Sequence, residues 1–215
     1  APFAPRKRWG QHFLIDSNIT RKIIDSCQLK PQDVVLEIGP GQGVLTQEIA
    51  GRVQRLFAIE RDPQLCAGLR KRFSGSSKGS EGARISVIEA DFLKYDLKGL
   101  PRPLKVIGNL PYYISSPILV RLLEHHQQFT DLFFTLQWEL GQRLVAKAST
   151  KDYSALSCLV QFYTQPQLLF KIKNTCFQPI PKVDSCFVHL SILPRAPFVV
   201  QNKKLFFDMI RMAFQ

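Results

Sequence analysis

Residues 34–43 read Val34-Val35-Leu36-Glu37-Ile38-Gly39-Pro40-Gly41-Gln42-Gly43, an apolar run that ends in three alternating glycines. The first five, largely β-branched or aliphatic and bounded by Asp33 and Gly39, read as a buried strand. The glycines turn the chain tightly and let its backbone approach a ligand. Val44, Leu45 and Ile49 then continue at helical spacing. Strand, glycine turn and helix form the opening unit of an open α/β sheet. A dinucleotide-binding turn needs G-x-G-x-x-G. Counted from Gly39 the last place holds Val44, and counted from Gly41 it holds Thr46, so that fingerprint fails.

On the amino-terminal side, Ser17 is placed to cap a helix carrying Ile19, Ile23, Ile24 and Cys27 on one face. Downstream, Leu56–Ile59 reads as a second strand ending at Glu60, and Asp62-Pro63 as a cap and first turn. Residues 74–83, all small or charged, read as a loop. Third and fourth strands are expected at Ile85–Ile88, before Asp91, and at Leu104–Ile107, before Asn109. Ser116-Pro117 opens a helix, and Leu132–Leu136 is a fifth strand. Helical patterns follow at 139–148 and 154–162, then an alternating segment at 183–193 and an amphipathic helix at 203–214. Repeated strand–helix alternation predicts a mostly parallel sheet with helices on both faces, joined by a late antiparallel strand. Ligand-binding groups of such sheets gather at the carboxyl ends of the strands.

The 215 residues carry 29 Lys+Arg against 17 Asp+Glu, a net charge of +12, and 45% hydrophobic residues. That apolar content supports a real core and excludes a disordered chain. No apolar run reaches the roughly 18–20 residues of a membrane span, so no membrane partner is expected. The opening APFAPRKRWGQHFL has no apolar stretch of signal-peptide length. The excess of positive charge suits a polyanion, nucleic acid above all, although charge kept for solubility is also compatible with it. Five widely spaced cysteines without a CxxC pair read as thiols in a reducing compartment rather than a disulfide framework or metal site.

The chemistry concentrates at the expected strand ends. Glu37-x-Gly39-x-Gly41-x-Gly43 resembles the first motif of S-adenosylmethionine-dependent methyltransferases. Glu60, 21 positions after Gly39, can accept both ribose hydroxyls of an adenosyl group. Asp91 can accept from the adenine amine beside Phe92 as an apolar wall. Read alone, Glu60 and Asp91 are also compatible with capping or turn acids. Asn109-Leu110-Pro111-Tyr112 resembles the (D/N/S)-(P/L)-P-(Y/F/W) motif of methyltransferases acting on exocyclic amino nitrogens. Adenine N6 is a poor nucleophile because its lone pair is delocalised into the ring. Two acceptors on its hydrogens, the Asn109 side-chain oxygen and the Leu110 carbonyl, favour a pyramidal and more nucleophilic nitrogen. Pro111 restricts Leu110 to extended geometry and so aims that carbonyl. Tyr112 offers a flat face to the base. No strong general base is required, so catalysis is mainly positioning and electrostatics.

With Gly10-Gln11-His12-Phe13-Leu14 and Phe177-Gln178-Pro179-Ile180-Pro181-Lys182-Val183-Asp184-Ser185 added, the chain is similar, from about Arg6 to Arg195, to the rRNA adenine N6,N6-dimethyltransferase family. The resemblance implies a class I, Rossmann-like methyltransferase that dimethylates two adjacent adenosines near the 3′ end of small-subunit rRNA. Its partner would be an assembling 30S-type subunit, and the enzyme a cytoplasmic monomer, or an organellar one after loss of a transit peptide. Gln11, His12, Leu14, Gly39, Gly41, Glu60, Asp91, Phe92 and Asn109 would bind S-adenosylmethionine. Phe177 and Tyr112 would hold the flipped adenine between them. Residues 1–195 would form the methyltransferase domain, and 196–215 the start of a helical rRNA-binding domain. Some of Arg6, Lys7, Arg8, Arg21, Lys22, Arg70, Lys71, Arg72, Arg143, Lys147, Lys151, Lys203 and Lys204 would track phosphates. Two rivals stand: an antibiotic-resistance methylase of large-subunit rRNA, and a non-catalytic nucleic-acid-binding factor on the same fold.

Overall fold

The computed structural model describes residues 10–73 and 84–214. Arg6, Lys7, Arg8 and the expected loop 74–83 lie outside the described residues. The elements run β1 (Phe13–Leu14), α1 (Ser17–Ser26), β2 (Val34–Ile38), α2 (Val44–Ala50), β3 (Arg55–Glu60), α3 (Pro63–Phe73) and β4 (Arg84–Glu89). They continue with β5 (Leu104–Asn109), α4 (Ser115–Glu124), β6 (Phe129–Gln137), α5 (Trp138–Val145), α6 (Ala155–Tyr163), β7 (Thr164–Ile172), β8 (Phe177–Gln178), β9 (Ser185–Ile192) and α7 (Lys203–Ala213).

Seven strands pair in the order β4-β3-β2-β5-β6-β9-β7, and β1 pairs with β8 in a separate two-stranded ribbon. The five strands from β4 to β6 are parallel. β9 is antiparallel to both β6 and β7. Alternation along each strand divides the core between the two faces. Leu36, Phe57, Val106 and Phe134 point to the face covered by α4 and α6, beside Leu119 and Val160. Their neighbours Val35, Leu56, Ile107 and Phe133 point to the other, beside Ile23 and Ile24 of α1 and Ile49 of α2. The α/β architecture expected from the alternation is the one observed.

Three local expectations need correction. Asp16, not Ser17, caps α1, its Oδ1 accepting from the Asn18 and Ile19 amides at 2.8 and 3.0 Å. The helix after β6 is Trp138–Val145 rather than 139–148, and its C-cap Ala146 has extended backbone. β7 has no counterpart among the expected strands. Its opening Gln165-Pro166-Gln167 breaks the apolar pattern, and a proline inside a strand is tolerated where that strand lies at the sheet edge, as β7 does. The closing α7 packs on α6 through rings, with Phe206 and Phe207 at 5.7 and 5.4 Å from Phe162.

Candidate active site

The parallel strands end together, and their carboxyl ends open into one cleft. Gly39 and Gly41 after β2, Glu60 at the end of β3, Asp91 and Phe92 after β4, and Asn109–Tyr112 after β5 all line it. Gln11, His12 and Leu14 close it from the amino-terminal segment. Twelve of the thirteen expected site residues therefore share one cavity. Phe177 is the exception.

Two glycines shape the cavity for different reasons. Gly41 has φ +57°, and a Cβ there would stand 2.9 Å from the Phe13 ring, which rests against the loop. Gly108 instead permits close approach of β5 to β2, because a Cβ would meet the Ile38 carbonyl oxygen at 2.8 Å. That approach sets Asn109 beside the glycine turn.

The walls on the β2–β4 side are acidic although the chain as a whole is strongly basic. Glu60 is only 7% exposed. Its Oε2 accepts from the Gly41 amide at 3.0 Å, and its Oε1 from the Arg61 and Asp62 amides at 2.8 and 2.9 Å. Burial raises its carboxyl above the usual range, and the amide donors from Asp62, Gly41 and Arg61 oppose that rise. The side chain therefore ties the glycine loop to the end of β3. Asp91 accepts the Leu93 amide at 3.0 Å and stands 3.7 Å from the Arg61 guanidinium. It is both a turn residue and part of the wall. Phe92 is buried beneath it.

Glu37 carries no role in the sequence reading beyond its place in the motif. It lines the cleft while nearly inaccessible, and its Oε2 has no hydrogen-bond partner among the described residues. Burial pushes this carboxyl up to about 8, with the Thr46 hydroxyl acting against that shift and the Glu60 charge adding to it. A buried acceptor without a donor is costly unless a ligand supplies one. Glu60 and Asp91 around a glycine loop, with Phe92 as an apolar floor, suit an adenosyl ligand carrying positive charge. S-adenosylmethionine has that chemistry.

The β5 side is built from distant segments. The Asn109 Nδ2 donates to the His12 carbonyl at 2.8 Å. A carbonyl can only accept, so this bond orients the amide and leaves Oδ1 as the acceptor for a ligand. The His12 ring stacks on Tyr112 at 5.5 Å, and its Nδ1 bonds the Pro179 carbonyl at 2.6 Å. The Tyr112 hydroxyl meets the Ser185 Oγ at 2.6 Å, and Ser185 is fully buried. Leu110 is buried, and the Pro111 carbonyl accepts from the Ser115 hydroxyl at 3.1 Å, holding the turn into α4.

Phe177 requires a correction. It opens β8 opposite Leu14 of β1, is 1% exposed, and packs in the core with Ile23, Phe133 and Phe187. A stacking partner needs a face open to the cleft, and this ring presents none. The 177–185 segment serves the site through the Pro179 carbonyl and the Ser185 hydroxyl instead. Neither was singled out from sequence, because nothing local to them signals a contact with Tyr112 or His12.

The family model described as ribosomal RNA adenine dimethylase matches residues 3–215. The chain is similar to the ribosomal RNA small subunit methyltransferase A of Moorella thermoacetica, 39% identical over 221 residues, covering 98% of this chain and 75% of that protein. Among solved structures it resembles a dimethyladenosine transferase from Plasmodium falciparum, with a TM-score of 0.83 and 28% identity over 94% of this chain and 70% of that one. It also resembles the 23S rRNA methyltransferase ErmE, with a TM-score of 0.79 and 28% identity over 94% of this chain and 78% of the other.

Proposed function

The chain belongs to the ribosomal RNA adenine dimethylase family, and from that premise we propose that it dimethylates N6 of two adjacent adenosines near the 3′ end of small-subunit rRNA. The methyl donor is S-adenosylmethionine, which supplies a methyl group made electrophilic by its sulfonium. The substrate context is an assembling small subunit, met by a monomeric enzyme in the cytoplasm or in an organelle that builds ribosomes. Among the described residues no helix is long and apolar enough to cross a membrane.

The observation that carries this reading is the oriented Asn109 amide at the end of β5, inside the acidic glycine-loop cleft. The carboxylates of Glu60 and Asp91 receive the polar edges of the adenosyl group, and the protonated Glu37 carboxyl lies beside them as a neutral polar group. Asn109 Oδ1 and the Leu110 carbonyl accept the two N6 hydrogens and draw the nitrogen lone pair out of the ring. Pro111 holds that carbonyl in place. Tyr112, pinned at its hydroxyl by Ser185 and flanked by His12, offers its ring to the extruded base. Preset acceptors of this kind lower the barrier because they need no reorganisation at the moment of reaction. We assign residues 1–195 to the catalytic domain and 196–215 to the start of a helical part that helps hold rRNA.

The test is methyl transfer from tritiated S-adenosylmethionine to undermethylated small and large ribosomal subunits, assayed separately. Label recovered as N6,N6-dimethyladenosine from the 3′ end of small-subunit rRNA is the expected result. Label confined to the large subunit would replace this substrate with that of the resistance methylases. Absence of transfer to either would leave only a binding role.

A further inference from the structure

Two tyrosines follow Pro111, and they are held differently. Tyr112 is tied at its hydroxyl to Ser185 and stacked on His12. Tyr113 lines the same cleft but is 53% exposed. Of the large apolar side chains exposed among the described residues, Tyr113 alone lines the cleft. Among those residues neither its ring nor its hydroxyl has a hydrogen-bond, ring or cation partner. One edge of the ring runs along the Gly10 backbone, where a Cβ would stand 3.2 Å from Cδ1 and 3.5 Å from Cε1. The root of the side chain is fixed nonetheless. Tyr112–Ile114 form a 3₁₀ turn, closed by the Ile114 amide donating to the Pro111 carbonyl at 3.1 Å. The turn that aims the Leu110 carbonyl therefore also places a half-exposed tyrosine at the mouth of the cleft.

An exposed ring at this place suits RNA better than it suits the methyl donor. The donor is small, and its expected walls Glu60 and Phe92 are buried. RNA enters the cleft with one base only, and the nucleotides beside that base meet the protein at the mouth. Every base has a π-face, so a tyrosine ring accepts a neighbouring nucleotide without regard to sequence. Extrusion of the target adenosine deprives its neighbour of a stacking partner, and Tyr113 replaces it. Consecutive Cα atoms stand about 3.8 Å apart, so Tyr113 reaches the nucleotide next to the one offered to Tyr112 rather than a remote one. Its unpartnered hydroxyl adds a donor for a sugar or phosphate oxygen.

We propose that Tyr113 holds the nucleotide flanking the extruded adenosine, the base of that nucleotide stacked on its exposed ring. This rests on the rRNA-methylating function proposed above. Tyr113→Ala should raise KM for undermethylated small subunits about 10-fold, the equivalent of about 1.4 kcal/mol, leaving kcat and cofactor affinity by calorimetry within about 2-fold. Tyr113→Phe, which keeps the ring and loses only the hydroxyl, should stay within about 3-fold of the unaltered KM. Tyr113→Leu keeps bulk against Gly10 but has no π-face, and should be as impaired as Tyr113→Ala. An unchanged KM for Tyr113→Ala would overturn the proposal. So would full recovery by Tyr113→Leu, or cofactor affinity lost in step with KM, because either makes the ring a packing clamp on the amino-terminal segment. If Tyr113→Ala fails to fold, the contrast between Tyr113→Leu and Tyr113→Phe decides by itself. Failure of the unaltered protein to methylate either subunit counts against the function itself, and this contact falls with it.

Discussion

The two sides of the cleft are built on opposite plans. On the β2–β4 side each group stands at the end of its own strand and is held by neighbours in sequence: Glu60 takes two of its three amide donors from Arg61 and Asp62. On the β5 side the holding contacts span the chain. Asn109 is turned by His12 across 97 residues, Tyr112 is pinned by Ser185 across 73, and His12 reaches Pro179 across 167. The first side is acidic and suits a cationic methyl donor. The second is an aromatic and amide surface that must admit a large polyanion to a small site. A donor of fixed structure can be met by local turns, whereas an extruded base needs acceptors and rings placed by the whole fold.

Removing Asn109 Oδ1 should have the largest effect. Asn109→Ala is expected to lower single-turnover methyl transfer by about 10²–10³-fold, the range for losing one preset electrostatic partner, while the fold survives. Near-normal turnover would remove Asn109 from the chemistry and reduce the β5 side to a docking surface. Glu60→Ala comes next and should act on the other side. Calorimetry should show cofactor affinity down by about 30-fold, or about 2 kcal/mol, because a charged acceptor of three amides is lost. Unchanged affinity would take Glu60 out of the cofactor wall.

A double-mutant cycle sharpens the contrast. Ser185→Ala and Tyr112→Phe should each slow transfer by about 5-fold, near 1 kcal/mol, with cofactor affinity kept. Combined, they should cost no more than either alone, since they break the same bond. Additive losses would mean that Ser185 acts elsewhere.

The last prediction reads stability rather than transfer and concerns Glu37. Its carboxyl sits at 4.5 when unperturbed and at about 8 in the fold. The folded state therefore keeps a proton that the unfolded state releases, and stability is lost as pH rises from about 4.5 to about 8. Glu37→Gln should flatten that decline, so its melting temperature gains on the unaltered protein across this window. Parallel curves would mean that Glu37 titrates normally.

The same contrast explains what could be read without coordinates. The run 34–43 specifies strand, turn and helix through local pattern, and Glu60 and Asp91 follow because strand ends in such sheets converge. The antiparallel β9 was legible from its alternation. β7 was not, because Pro166 and its flanking glutamines mask an edge strand that only the sheet accommodates. Phe177 was expected at the base because its motif resembles one that serves the site. Pairing of β8 with Leu14 turns its ring into the core instead, and register between segments more than 160 residues apart leaves no local trace. Ser185 and Pro179, held against Tyr112 and His12 by contacts remote in sequence, were missed for the same reason.

One measurement bears on the whole account: a crystal structure of the protein with S-adenosylmethionine bound. The account predicts the ribose hydroxyls on Glu60, the adenine against Asp91 and Phe92, and the methyl group directed at the space in front of Asn109 Oδ1. A ligand bound elsewhere, or one whose methyl faces away from the Asn109–Tyr112 turn, would contradict it.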